Sequence, residues 1–274
     1  MSAASDDLAG AIVADVLLAA PSEVDQGEVP IRTWQGGSFP DGSDRKIQAP
    51  AWPEIERNYP DAVRSELEVL LKLERPTRTG KLILWHGPPG TGKTTMLRAL
   101  LRAWEPWCAG QYISDPEHFF RDPGYITRVL MRSAIPALGP TLTQAGEPEA
   151  MWRLVIAEDA DEYLRASAKR DAGAGLGRLL NLTDGILGQG YNTLILLTTN
   201  EELNRLHPAL IRPGRCLARV EFTAFGRSEA RAWLPDGSNE PPEQSTLAEL
   251  FEHRGDLTQL GARRTKEEQP GVYL

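Results

Sequence analysis

The run Gly87-Pro88-Pro89-Gly90-Thr91-Gly92-Lys93-Thr94-Thr95 combines a glycine-rich turn with one lysine and two adjacent hydroxyls. Residue types in this order serve the holding of a polyphosphate. Glycines let the backbone curl until its N–H groups converge on phosphate oxygens, and a following helix adds its positive end. Lys93 then reaches the β- and γ-phosphates, and the Thr94 hydroxyl is placed to bind Mg²⁺. The pattern carries this meaning only between a strand and a helix. Both flanks comply: apolar Leu82-Ile83-Leu84-Trp85 precedes it, and Met96, Leu97, Leu100, Leu101 and Trp104 follow at helical spacing.

Phosphoryl transfer to water also needs a carboxylate near Mg²⁺ and a group that activates the attacking water. The apolar run Leu154-Val155-Ile156-Ala157 ends in Glu158-Asp159-Ala160-Asp161-Glu162, which offers two registers. If the strand stops at Ala157, Glu158 is the metal-side acid and Asp159 the water-activating one, the reverse of the common Asp-Glu order. The swap moves each carboxylate by one methylene, about 1.5 Å. In the other register Asp161 and Glu162 do the chemistry, at the cost of placing Glu158 and Asp159 inside a buried strand. The first register is preferred, and Asp161 and Glu162 are then expected to cap the next helix at its positive end. A third apolar run, Leu194 to Leu197, ends in Thr198-Thr199-Asn200. The Asn200 amide can hold the attacking water or the γ-phosphate, or it can be a turn residue. Farther on, Arg212 and Arg215 flank a tight Pro-Gly turn, a rigid exposed setting that suits an arginine acting on a neighbour's γ-phosphate.

These groups need a scaffold that brings three strand ends to one edge. The three apolar runs lack polar alternation, as strands buried on both faces do. Helical patterns lie between them, and Tyr112-Ile113 and Val220-Glu221-Phe222 supply two more strands. The expected fold is α/β: a P-loop NTPase with a mainly parallel five-stranded sheet flanked by helices and ligands at the carboxyl ends of the strands. Residues 1–52 are richer in acids than in bases and read as an N-terminal helix, Leu8 to Ala20, plus a loose Gly/Pro/Ser/Asp linker. Residues 53–225 form the core. Residues 226–274 hold two short helical patterns, Ser228–Leu234 and Thr246–His253, as a small reduced lid and tail. Ser133 to Pro148 reads as a loop. The chain has 274 residues, 38 acids against 30 bases and a net charge of −8, which excludes an affinity built mainly on neutralising nucleic-acid phosphates. Two distant cysteines, Cys108 and Cys216, suggest neither a disulfide framework nor zinc. No stretch is long and apolar enough to span a bilayer, and a cytoplasmic protein is expected.

Taken together, the phosphate loop, the paired acids, Leu180-Asn181-Leu182-Thr183-Asp184-Gly185, Thr198-Thr199-Asn200 and Pro208 to Arg215 resemble the AAA ATPases in order and spacing, over roughly Pro53 to Phe225. The Glu-Asp order is similar to that of the mitochondrial AAA translocase group that moves the folded Rieske protein; a bacterial-type AAA protein fits equally well. The resemblance implies ATP and Mg²⁺ as cofactors and a homo-oligomeric ring, usually a hexamer, with ATP between subunits. It implies a macromolecular substrate, a protein complex before a nucleic acid. Carried over by position, Gly87, Gly90, Gly92, Lys93, Thr94 and Thr95 bind phosphate and Mg²⁺, Glu158 and Asp159 are the acidic pair, Asn200 is the first sensor, and Arg212 and Arg215 are fingers. The chain departs from the pattern in two places. Asp115 to Tyr125 offers aromatics without the usual aromatic-Gly pore loop, so Phe119, Phe120 and Tyr125 are read as helix core contacts. Gly261-Ala262-Arg263-Arg264 matches the second-sensor region only weakly. A nucleotide-dependent assembly switch with little hydrolysis and a DNA-linked loader are the competing functions, with a small-molecule kinase behind them.

Overall fold

The computed structural model describes residues 27–36, 41–76, 80–131, 151–167, 170–184, 192–212 and 214–255. In chain order they form β1 (Glu28–Gln35), β2 (Asp41–Gln48), α1 (Trp52–Ile55), α2 (Asp61–Leu71), β3 (Leu82–His86), α3 (Lys93–Trp104), β4 (Cys108–Ile113), α4 (Pro116–Arg121), α5 (Pro123–Met131), β5 (Trp152–Ala157), α6 (Asp161–Leu164), α7 (Arg170–Asp184), β6 (Thr193–Thr199), β7 (Cys216–Glu221), β8 (Phe225–Gly226), α8 (Arg227–Trp233), β9 (Gln244–Ser245) and α9 (Leu247–Arg254). The helix expected over Leu8–Ala20, the segment Ser133–Pro148 and Gly261–Arg264 lie outside the described residues.

Strands β1 to β7 form one sheet in the order β2-β1-β4-β5-β6-β3-β7. Every neighbouring pair is parallel except β1 with β2. The five strands legible in the sequence, β3 to β7, are all present, and the sheet is wider than expected by two. Residues 28–35 and 41–48 are therefore not a loose linker but two antiparallel strands that continue the sheet beyond β4. The loop-like composition of Asp41–Gln48 belongs to an edge strand, where charges deter pairing with other chains. Cross-strand pairs hold the hairpin: Arg32 Nε and Nη2 donate to the Asp44 carboxylate at 2.7 and 2.8 Å, and the Thr33 and Ser43 hydroxyls meet at 2.8 Å. Inward-facing Val29, Ile31 and Trp34 are buried.

Helices cover both faces of the sheet. Val63 and Leu67 of α2 and Met96 and Leu100 of α3 pack on Ile83, Trp85, Ile156 and Leu196. On the other face, Phe119 and Phe120 of α4, Tyr125 of α5 and Leu176 and Leu179 of α7 pack on Leu84, Val155, Ala157 and Leu197. Each such side chain contributes about 1.5–3 kcal/mol relative to exposure, so these two apolar layers fix where the strand ends lie. Phe119, Phe120 and Tyr125 are fully buried, as core contacts must be.

The C-terminal helices build a third, smaller cluster from Phe225, Ala230, Trp233, Leu247 and Leu250. Trp233 Nε1 donates to Asn58 Oδ1 at 3.1 Å, and the Asp61 N–H donates to Glu229 Oε1 at 3.0 Å, tying this cluster to the start of α2. Thr246 and Glu249 form a reciprocal capping box at the start of α9. Among the described residues no helix is long and apolar enough to cross a membrane.

Candidate active site

The phosphate loop leaves the buried end of β3 through Gly87, whose φ of +136° suits glycine alone. A Cβ there would also lie 2.0 Å from the Phe222 carbonyl oxygen. Gly92 caps α3 at φ +89°, and its carbonyl accepts the Tyr59 hydroxyl at 3.1 Å. Thr91 is buried and closes the turn by donating Oγ1 to the Pro88 carbonyl at 2.9 Å. Pro88, Pro89 and Gly90 are exposed, and Thr94 stands exposed on the first turn of α3 with Thr95 behind it.

Lys93 is 7% exposed, and its ammonium spends its three donors on Gly87 O at 2.8 Å, Pro88 O at 3.0 Å and Asn200 Oδ1 at 2.9 Å. Burial lowers its pKa, and the charges of Asp159, Asp161 and Glu158 oppose that shift. Turned from the two loop carbonyls toward a ligand, the same ammonium would supply a charge-assisted hydrogen bond to each of two phosphates. Removing two such bonds costs roughly 3 kcal/mol, about 10²-fold in affinity. Lys93→Ala is therefore expected to weaken binding of a fluorescent ATP analogue by about 10²-fold while the circular dichroism spectrum is kept.

Strand β5 ends at Ala157, so Glu158 and Asp159 stand at its carboxyl end. Glu158 Oε1 accepts the Thr94 hydroxyl at 2.7 Å. Burial raises the Glu158 pKa, and the hydrogen bond from Thr94 opposes that shift. Thr94 and Glu158 present hard oxygen donors side by side. Among the described residues no group of three His, Cys, Asp or Glu side chains could hold a metal. Mg²⁺ fits such a sparse set, because it keeps several waters and takes one or two protein oxygens plus substrate phosphates.

Asp159 is the one non-glycine residue at positive φ, +51°, among those described. Asp tolerates the left-handed region better than most residues, but the position still costs about 1–3 kcal/mol. Its N–H donates to Thr198 Oγ1 at 3.0 Å, and its Oδ1 lies 3.4 Å from Asn200 Nδ2. The strained turn places Asp159 on the wall of a cleft of about 440 Å³, with Pro89, Lys93 and Thr94 below, Asn200 beside it, and Leu247, Ala248 and Phe251 of α9 opposite. The Ala248 N–H donates to Gly90 O at 2.9 Å, joining α9 directly to the phosphate loop.

Asp161 departs from its expected role. It lies in the first turn of α6, but its carboxylate turns back to β6. Oδ1 accepts Thr199 Oγ1 at 2.5 Å and the Asn200 N–H at 2.7 Å, and Oδ2 accepts Asn200 Nδ2 at 3.3 Å. Three specific donors from the neighbouring strand outweigh a diffuse helix dipole. Asn200 is thereby gripped between Lys93 and Asp161, both ends of its amide fixed. Sequence reading missed this joint, and also Tyr59 and Thr198.

Arg212 is exposed, and neither it nor Arg215 lines the cleft of its own chain. Arg215 Nη1 donates to the Ala209 carbonyl at 3.2 Å, and its own carbonyl accepts the N–H groups of Lys81 and Leu82, pinning the loop to the edge of β3. Ile211 beside Arg212 is 38% exposed.

Residues 83–224, just over half of the chain, match the family model "ATPase family associated with various cellular activities (AAA)". Residues 1–72 match a domain of unknown function (DUF5925). The chain is similar to the 26S proteasome regulatory subunit 6A of Encephalitozoon cuniculi, 28% identical over 56% of this chain and 38% of that protein. It is also similar to the vesicular-fusion protein SEC18 of Saccharomyces cerevisiae, 30% identical over 52% of this chain and 19% of that protein. The AAA-ATPase At2g18190 of Arabidopsis thaliana is 29% identical over 48% of this chain and 25% of that protein. The chain thus spans well under half the length of these relatives.

Proposed function

This chain belongs to the AAA family of ATPases, and from that premise we propose that it hydrolyses ATP with Mg²⁺ in the cleft above Gly87–Thr95 and uses the turnover to remodel or translocate a macromolecule, a protein complex. The observation that carries the reading is the unbroken polar chain from Lys93 through Asn200 to Asp159 at one strand edge, with Thr94 and Glu158 beside it. Lys93 and the loop N–H groups hold the phosphates, and Thr94 and Glu158 hold Mg²⁺. The ion, when bound, offsets charge on the β- and γ-phosphoryl oxygens. Asp159 accepts a proton from the attacking water, which Asn200 orients. In this reading six copies form a ring and Arg212, with Arg215 bracing its loop, completes the site of the next subunit. The Glu158-Asp159 order supports a place near the group that translocates a folded protein. The burial of Phe119, Phe120 and Tyr125 supports remodelling that does not draw an extended chain past those rings.

The reading is tested by the specific ATPase rate of the purified protein against its own concentration, with Mg²⁺ present. A rate that rises steeply and then saturates is expected, because sites are completed only between copies. A rate near zero at every concentration, with tight ATP binding, transfers the chain to a nucleotide-dependent assembly switch. Salt-sensitive DNA binding revives a DNA-linked loader.

A further inference from the structure

Asn200 and Arg212 stand on one connection, the segment between β6 and β7, and the residue next to Asn200 ties that segment down. The Glu201 side chain is 11% exposed and is approached by two guanidiniums. Arg165, directly after α6, donates Nε to Glu201 Oε1 at 2.8 Å, and its Nη2 bonds the same oxygen. Arg205, at the end of the short 3-10 turn Leu203–Arg205, brings Nη1 to 3.8 Å from Oε2. The main chain closes the same joint. The Ala166 N–H donates to Arg205 O at 2.8 Å and the His207 N–H to Leu164 O at 2.7 Å, around an antiparallel bridge of Arg165 with Leu206. From there the chain turns directly toward Arg212, with the Leu210 N–H donating to His207 O at 2.9 Å and the Leu206 and Leu210 side chains buried. An isolated exposed ion pair contributes little, but this carboxylate is nearly buried and shared, and without it two like charges are left side by side at the bridge.

We propose that Glu201 is the positioning residue for Arg212, holding the segment 203–212 against the end of α6 so that the guanidinium is presented to the γ-phosphate of the neighbouring copy. This rests on the reading that Arg212 completes the site of the next subunit. The test compares steady-state ATPase rates of the unaltered chain, Glu201→Ala, Glu201→Gln, Arg212→Ala and the Glu201→Ala/Arg212→Ala pair, each alone and mixed with Lys93→Ala copies, which bring an intact Arg212 segment. Mg²⁺-ATP affinity and thermal melting serve as controls. Glu201→Ala is expected to lower kcat about 10²-fold with Mg²⁺-ATP affinity kept, the loss that a displacement of about 1 Å brings. Glu201→Gln keeps the packing and an acceptor for Arg165 but not the charge, so it should lose about tenfold, and it carries the test if the alanine variant melts early. The double variant should be no slower than Arg212→Ala, and mixing should restore part of the rate to each single variant at Glu201 or Arg212. A full rate in Arg212→Ala overturns the reading and the positioning role with it. A slowed Arg212→Ala beside full rates in both Glu201 variants overturns the positioning role alone. So does a double variant slower than Arg212→Ala, or a loss at Glu201 that mixing cannot restore, which places the effect within its own chain.

Discussion

Arg212→Ala protein is expected to bind Mg²⁺-ATP as the unaltered chain does and to hydrolyse it about 10³-fold more slowly, the lower end of what such an arginine supplies when it meets transition-state charge. The geometry permits this only between copies. Arg212 is exposed and does not line the cleft of its own chain, while its loop is held rigid by the buried Leu210 and by Arg215. A guanidinium on a braced loop loses little freedom when it engages a phosphate, which favours Arg212 over an arginine on a loose tail. Mixing is the discriminating measurement. Lys93→Ala copies hold ATP about 10²-fold more weakly but still carry Arg212, so adding them to Arg212→Ala copies should restore part of the rate. A full rate in Arg212→Ala alone makes Arg212 a surface residue, and a loss that mixing cannot rescue places its effect within its own chain.

The phosphate loop, the ends of β5 and β6 and the central five strands were legible in the sequence because each rests on local signals: a run of glycines with a lysine, or an unbroken apolar run followed by acids. The β1–β2 hairpin was hidden by its own edge. Asp41, Gly42, Ser43 and Asp44 have loop composition because one side of that strand meets solvent, and the pairing that overrides composition comes from Arg32 and Thr33, about ten residues away in sequence. Asp161 was misread for a related reason. A carboxylate in a helix's first turn looks like a cap, and only the sheet shows that Thr199 and Asn200, 38 and 39 residues later, offer it better donors. What remained illegible were contacts between strand ends, which depend on sheet order and register and not on local pattern.

Asp159→Asn should leave ATP and Mg²⁺ binding intact and lower kcat by about 10³-fold with KM nearly unchanged, the signature of losing a general base and not a binding group. The substitution is close to isosteric, and Asn accepts the left-handed backbone at least as readily as Asp, so the turn at φ +51° is kept. The main-chain hydrogen bond to Thr198 does not involve the altered side chain. Glu158→Gln should differ in kind: Thr94 still has an oxygen to donate to, but the lost charge should raise the Mg²⁺ requirement before it lowers the maximal rate. The two profiles together separate the roles of the adjacent acids, which either profile alone cannot. Unaltered turnover by Asp159→Asn would assign water activation elsewhere, and Glu162, three residues farther along in the first turn of α6 and outside the cleft lining, would be the next carboxylate to remove.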